Sequence, residues 1–263
     1  MTDSRIGSAS IGISADGPIG WITLTDPDRR NPLSVNMMRG IRDALGALGG
    51  DNSIRVIVLQ AGGAAFSAGH DLNELVGCSL DDGRAVFAAC IEMMQAIHRV
   101  PQPVIASVQG VALAAGCQLV AACDLAVASS TARFGTPGVK IGLFCSTPMV
   151  ALSRAIGRKR VLRMLLTGEM IDAVTAEIWG LINLVTKPHT LTDVTRSLAE
   201  TVAGASALTL ATGKEAFYRQ IELSEDEAYR QMQETMAVNA TTYDAQEGIT
   251  AFLAKRPPVW QHR

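Results

Sequence analysis

The chain has 263 residues, 48% of them hydrophobic and 18% charged, a balance that suits a water-soluble globular protein with a sizeable core. Its net charge of −2 provides no overall field to draw nucleic acid or an anionic membrane, so an anionic ligand has to be held by local charges. The five cysteines, Cys78, Cys90, Cys117, Cys123 and Cys145, are odd in number and form no C-x-x-C, which fits free thiols in a reducing compartment and argues against a zinc site.

Met1-Thr2-Asp3-Ser4-Arg5 lacks the charged-then-apolar pattern of a secretion signal and the arginines of an import peptide. The longest apolar stretch, around residues 111 to 123, is too short and too interrupted by Gly116 and Gln118 to span a bilayer. The expected location is cytoplasmic.

Ile11 to Ser14 and Ile19 to Leu24 read as a hairpin about Asp16-Gly17. A polar loop, Asp26 to Pro32, leads to Ser34, which can cap a helix to about Leu48. Val56-Ile57-Val58-Leu59 reads as a strand buried on both faces. Gly62 to Asp71 is a turn of small residues, followed by a short helix, Leu72 to Leu75. Leu80 to Val100 is a long amphipathic helix ended by Pro101 and Pro103.

Residues 103 to 142 form the centre of the chain. They read as a strand (Val104 to Val108), a tight turn at Gln109-Gly110, a buried helix within 111–124, a strand (Leu125 to Ala128) and an open loop at Phe134-Gly135-Thr136-Pro137-Gly138. Ser146 or Thr147 can cap a helix to about Ala155. Arg158 to Leu166 and Asp172 to Gly180 read as helices, and Leu181 to Val185 as a strand. From Thr192 the pattern is helical: Glu200 to Tyr218, Glu225 to Asn239 and Ala245 to Lys255. The expected division is a mixed α/β core, residues 1–200, and a helical region, residues 201–263.

Each small-residue turn follows a buried strand and leads into a helix. Small residues let other atoms approach the backbone, and the first N–H groups of a helix have no partner within it. If the two strands are neighbours, two N–H donors meet at one point and form an oxyanion hole, suited to the enolate or tetrahedral oxyanion of a thioester. A closely packed helix without a chemical role is the alternative reading of the central stretch alone.

Three segments taken together, Phe66-Ser67-Ala68-Gly69-His70-Asp71-Leu72, Gln109-Gly110-Val111-Ala112-Leu113-Ala114-Ala115-Gly116-Cys117-Gln118-Leu119 and Phe134-Gly135-Thr136-Pro137-Gly138, resemble the enoyl-CoA hydratase/isomerase (crotonase) family. The resemblance covers nearly the whole chain, with Asn31-Pro32-Leu33-Ser34 early and Gly248 to Arg256 late. It implies an α/β crotonase (ClpP-like) spiral of ββα units with a C-terminal helical trimerisation region. It also implies an acyl-CoA thioester as substrate, no separate cofactor, and a homotrimer or a dimer of trimers. The main-chain N–H groups of His70 and Ala115 would be the oxyanion donors, although the family usually has Gly where Ala115 stands.

Hydratases of the family use two glutamates, at the positions held here by Gln118 and Gly138. Gln118 can hydrogen-bond a water but cannot take its proton, and Gly138 has no side chain. Hydration by that route is therefore not expected, whereas thioester polarisation survives. That leaves isomerisation, decarboxylation or thioester hydrolysis, with a non-catalytic acyl-CoA binder or assembly partner as the alternative. Cys145 and Ser146, read as opening a helix, are further candidates, because a helix N-terminus lowers a thiol pKa. The His70 side chain and Glu92 are weaker ones. Asp71 and Glu74 read as caps, and Asp124 as structural. Arg29 and Arg30 are candidate phosphate partners for CoA. By resemblance, Ala68, Asp71 and Leu72 form the adenine pocket, and Phe252 and Lys255 close over CoA. No Walker-type or G-x-G-x-x-G motif is present, and the aromatics are not interleaved with basic residues, so nucleic acid is not expected.

Overall fold

The structure is a computed structural model that describes residues 10–263, so the reading of Met1 to Arg5 lies outside the described residues. β1 (Ile11–Asp16) and β2 (Ile19–Leu24) form the antiparallel hairpin, with Gly17 at a positive φ of 55° in its turn. The Ser34 hydroxyl accepts from the Met37 N–H and opens α1 (Val35–Gly49), which buries Met38, Ile41, Leu45 and Leu48. β3 (Val56–Ala61) follows. A Ser79/Asp82 capping box then opens α2 (Leu80–Arg99).

β4 (Val104–Val108), β5 (Val111–Leu113), α3 (Ala115–Ala122), β6 (Leu125–Ser129) and β7 (Arg133–Gly135) make up the central stretch. α4 (Pro148–Ala155), α5 (Arg158–Thr167), β8 (Met170–Asp172), α6 (Ala173–Trp179) and β9 (Leu184–Thr186) come next. Four helices end the chain: α7 (Leu191–Ala203), α8 (Ala207–Gln220), α9 (Glu225–Ala240) and α10 (Tyr243–Leu253).

The strands form a six-stranded sheet, β1-β2-β3-β4-β6-β9, parallel except for the hairpin, and a second sheet, β5-β7-β8. Every residue of β4 is buried, as the absence of polar alternation requires of a strand covered on both faces. One face carries the main core, including Ile22, Leu59 and Ala106 of the sheet with residues of α1, α2 and α3. The other face, Ile19, Trp21, Val56, Val58, Ile105 and Val127, is covered by Leu191 and Ala199 of α7. α8 is tied down by a buried ion pair: Lys214 Nζ lies 2.7 Å from Asp124 Oδ2 and also donates to the Ile97 and Gln102 carbonyls. Asp124 also accepts from the Val104 N–H and the Tyr218 hydroxyl, so its expected structural role is met.

The structure differs from the expectation in four places, the smallest being the last strand, expected from Leu181 to Val185 and found at Leu184–Thr186. The helix expected within 111–124 begins only at Ala115, because Val111, Ala112 and Leu113 are drawn into a parallel ladder with Arg133, Phe134 and Gly135. β8 was unanticipated; its three residues complete that sheet. The helix expected from Glu200 to Tyr218 is two helices, broken at Gly204 to Ser206, where Ser206 accepts from the Thr209 N–H and caps α8.

Candidate active site

β3 and β4 are parallel neighbours, with Leu59 opposite Ala106, so the chain leaves both strands at the same end of the sheet. The two small-residue turns therefore meet there. Gly69 has φ 97°, and a Cβ on it would lie 2.9 Å from the Leu113 oxygen and 3.4 Å from the Ala115 nitrogen. A Cβ on Gly116 would lie 2.6 Å from the Ser67 oxygen. One on Gly110 would overlap the Ala64 carbonyl. These glycines are where the two turns touch, and only the absence of a side chain allows that approach. Asn31, fully buried, holds the first turn in place: its Nδ2 donates to the Gly62 and Ala65 carbonyls and its Oδ1 accepts from the Asp26 N–H.

Main-chain hydrogen bonds account for the neighbouring amides. The Leu113 N–H donates to the Ser67 oxygen, the Ala114 N–H to the Gly135 oxygen and the Gly69 N–H to Ser67 Oγ. Among the described residues, the N–H groups of His70 and Ala115 donate to no protein acceptor. Ala115 is the first residue of α3, so its N–H lies outside the helical ladder. Its methyl does not strain the backbone. The positive φ falls one residue earlier, on Ala114, at 48°. A non-glycine residue in such a region costs of order 1–3 kcal/mol, held by the surrounding structure.

His70 and Ala115 both line a cavity of about 610 Å³ whose far wall is the segment from Pro137 to Pro148. Gly138 lies in that wall. Its missing side chain has a structural cause, because a Cβ there would overlap the Leu143 carbonyl oxygen and come 2.9 Å from Cys145 Sγ. The Leu143 N–H also donates to the Gly138 oxygen at 3.0 Å. Backbone thus occupies the space into which a carboxylate would project.

Gln118 is 4% exposed on α3, beyond the residues that line the cavity, and Cys90 Sγ approaches its Oε1 at 3.8 Å. The Cys145 thiol does line the cavity, but its expected activation fails. α4 starts only at Pro148, so Cys145 precedes the helix, and burial pushes its thiol above the ordinary value. The His70 ring packs edge-on to Phe87 with centroids 5.4 Å apart, and neither ring nitrogen makes a hydrogen bond among the described residues. Burial holds this imidazole below its ordinary pKa.

Arg29 and Asp71 line the cavity as an ion pair with each other. Burial tends to raise the Asp71 pKa, but hydrogen bonds from Arg29 and Asn73 outweigh it and keep the carboxyl below the usual range. Ala68 and Leu72 also line the cavity. Arg30 does not; it sits in the left-handed region at φ 62° on the exposed loop. Phe252 and Lys255 are exposed on the tail and reach no part of the cavity within this chain. Glu92 pairs with Arg42 at the surface instead of facing the cavity. Glu74 is a cap, accepting from the Val35 N–H at the start of α1.

Sequence reasoning missed Phe87, Lys140, Leu143 and Phe144, which line the cavity. For Phe87 the helical spacing with Cys90 and Met94 was a usable signal; for Leu143 none existed, since its carbonyl is what matters. Among the described residues no cluster of His, Cys, Asp and Glu could hold a metal ion, and no helix is long and apolar enough to cross a membrane.

The family profile described as Enoyl-CoA hydratase/isomerase matches residues 15–263. The chain is 46% identical over 242 residues to human "Enoyl-CoA hydratase domain-containing protein 3, mitochondrial", covering 92% of this chain and 80% of the relative. It is 36% identical to a "Putative enoyl-CoA hydratase" of Thermus thermophilus, covering 92% and 97%. Its backbone superposes on the crystal structure of an enoyl-CoA hydratase of Mycobacterium smegmatis with a TM-score of 0.94 at 45% identity, covering 96% and 99%. For the human domain-containing protein 3 structure the TM-score is 0.91 at 43% identity, covering 95% and 100%. With the fold, the paired turns and the profile all in agreement, the chain belongs to the enoyl-CoA hydratase/isomerase (crotonase) family.

Proposed function

We propose that the cavity binds an acyl- or enoyl-CoA thioester, whose carbonyl oxygen accepts from the main-chain N–H groups of His70 and Ala115. One such donor is typically worth about 10²–10³ in rate where charge develops on the oxygen. The observation that carries the reading is that these two amides, on touching turns that line one cavity, have no protein acceptor among the described residues. A polarised thioester carbonyl stabilises an enolate, which serves isomerisation or decarboxylation. Hydration would also need a water deprotonated at one carbon and a proton delivered at the next. Among the described residues the only carboxylate lining the cavity is Asp71, and Arg29 occupies it. General acid–base catalysis contributes typically about 10²–10⁴-fold, so we propose that two-carboxylate hydration is lost.

CoA would lie toward the Arg29, Ala68, Asp71 and Leu72 side, without a separate cofactor. Arg30, exposed outside the cavity, would meet a phosphate only where CoA extends beyond the cavity lining. Phe252 and Lys255 would contribute from a neighbouring subunit of a trimer or dimer of trimers. We propose that neither nucleic acid nor a membrane is a partner. We propose that residues 1–200 form the α/β core and residues 201–263 the helical oligomerisation region. A cytoplasmic location rests on the five free thiols, whereas the vertebrate relatives are named mitochondrial.

Loss of the conjugated thioester absorbance of short and long trans-2-enoyl-CoAs tests the activity. Turnover like that of a two-glutamate hydratase would overturn the loss of hydration. The second reading, an acyl-CoA binder without chemistry, is favoured by the carboxylate-poor wall; submicromolar binding without product from any thioester would establish it. Thioester hydrolysis through Cys145 is disfavoured by its raised pKa.

A further inference from the structure

The segment from Pro137 to Pro148 brings several apolar side chains to the cavity. They are Pro137, Ile141, Leu143, Phe144 and Pro148, and Phe87 of α2 closes one side. Several of these side chains stand open to water: Ile141 is 63% exposed, Leu143 40% and Phe144 38%, with Leu72 at 48% across the mouth. A contiguous set of exposed large apolar groups around a cavity marks a surface that something apolar covers. Charge is sparse there. Arg29 and Asp71 satisfy each other, which leaves Lys140 as the one cavity-lining cation without a salt bridge among the described residues. At Gly138 the Leu143 carbonyl fills the place of a carboxylate, so an apolar group can pass without desolvating a charge.

We infer that the acyl group taken by this site is a long, unsubstituted hydrocarbon chain, lying under Ile141, Leu143 and Phe144, in preference to a short or an acid-bearing one. The inference rests on the thioester reading above and adds the substrate class. Fully burying a methylene is worth about 0.8 kcal/mol, or about fourfold in affinity. The half-open mouth lowers this to about twofold, or roughly 16-fold across the four methylenes that separate butyryl from octanoyl.

The experiment is calorimetric binding of butyryl-CoA, octanoyl-CoA, dodecanoyl-CoA and succinyl-CoA to the full chain, with free CoA as reference. The expected result is tighter binding at each lengthening, at least about 10-fold from butyryl to octanoyl. Succinyl-CoA should bind no better than butyryl-CoA. In Ile141→Asp, at a position exposed enough to accept the change, the octanoyl-to-butyryl ratio should fall below about threefold, with folding checked by circular dichroism. Flat or falling affinity along the series overturns the inference while leaving the thioester reading intact. So does a succinyl-CoA preference, which would point to Lys140 as the recognition element. Failure of every acyl-CoA to bind overturns both.

Discussion

Replacing Gly138 by alanine tests whether the second carboxylate is merely missing or has been built out. The new Cβ would overlap the Leu143 carbonyl oxygen and lie 2.9 Å from Cys145 Sγ. Overpacking of a closed wall typically costs about 1–3 kcal/mol. Pushing Leu143 away also stretches its N–H bond to the Gly138 oxygen, now 3.0 Å, worth about 0.5–1.5 kcal/mol. The sum is about 1.5–4.5 kcal/mol. At ~2–4 °C per kcal/mol for a domain of this size, the melting temperature should fall by about 3–18 °C. Differential scanning calorimetry measures this, with Gly46→Ala as the reference. Gly46 lies inside α1 with no atom within 4 Å of an added Cβ, so that variant should gain about 0.4–1 kcal/mol. It follows that Gln118→Glu with Gly138→Glu should fail to create a hydratase, because the second carboxylate has no room. A double variant that melts like the parent and hydrates crotonyl-CoA at a two-glutamate rate would refute the steric argument.

Three further outcomes are expected. Gln118→Glu alone places a carboxyl at a position 4% exposed beside Cys90, where burial raises its pKa in the folded state. The folded protein then binds more protons than the unfolded chain, so stability relative to the parent should drop as pH rises from about 4.3 through the folded pKa; urea midpoints at pH 5 and pH 8 read this. With its thiol pushed above the ordinary value, Cys145 should alkylate with iodoacetamide at pH 7 far more slowly than exposed Cys78, and Cys145→Ser should leave thioester turnover within about twofold. Peptide mapping after timed labelling checks the first statement. Lys214→Met should cost about 3–5 kcal/mol in urea denaturation, since it removes the buried cation between Asp124 and the Ile97 and Gln102 carbonyls, and Asp124→Asn in the same chain should recover part of the loss.

What could be read in advance follows the range of the interactions. Caps and hydrophobic periodicity act within a few residues, so Ser34, the Leu80–Val100 helix and the buried runs of β3 and β4 were legible. Val111 to Leu113 were misread because three apolar residues next to a helix carry no period of their own; only pairing with Arg133 to Gly135 makes them a strand. The Gly204–Ser206 break was likewise hidden in a continuous apolar stripe. At the site, the two turns and the substituted glutamates were legible as residue types, and family resemblance supplied the pairing. Glu92 was misplaced because helical spacing gives a face but not its neighbour, which is Arg42. Cys145 was misjudged because it was read as opening α4, whereas Thr147 is the N-cap, one of the two positions expected, and Cys145 lies two residues before it.

The retained and the lost halves of the site depend on different parts of the chain. Main-chain donors need only that the turns touch, a condition set by Gly69 and Gly116 and indifferent to whether residue 115 is Gly or Ala. Carboxylates need both the residue and the space. Gln118 retains the space for a carboxylate of nearly equal size, so that substitution can be reversed chemically. Gly138 cannot be reversed by one residue, because Leu143 and Cys145 have closed on it. Recovery of hydration is therefore a problem of moving the 138–147 segment, and the same closure that forbids the acid leaves apolar groups, Ile141, Leu143 and Phe144, against which a hydrocarbon can lie. Substituting residues 138–147 as a block, together with Gln118→Glu, should restore hydration where the paired point substitutions do not, and should lower the preference for long over short acyl-CoAs in the same protein. A block variant that hydrates well yet keeps the full chain-length preference would separate the two effects and show that the closed wall does not set the acyl class.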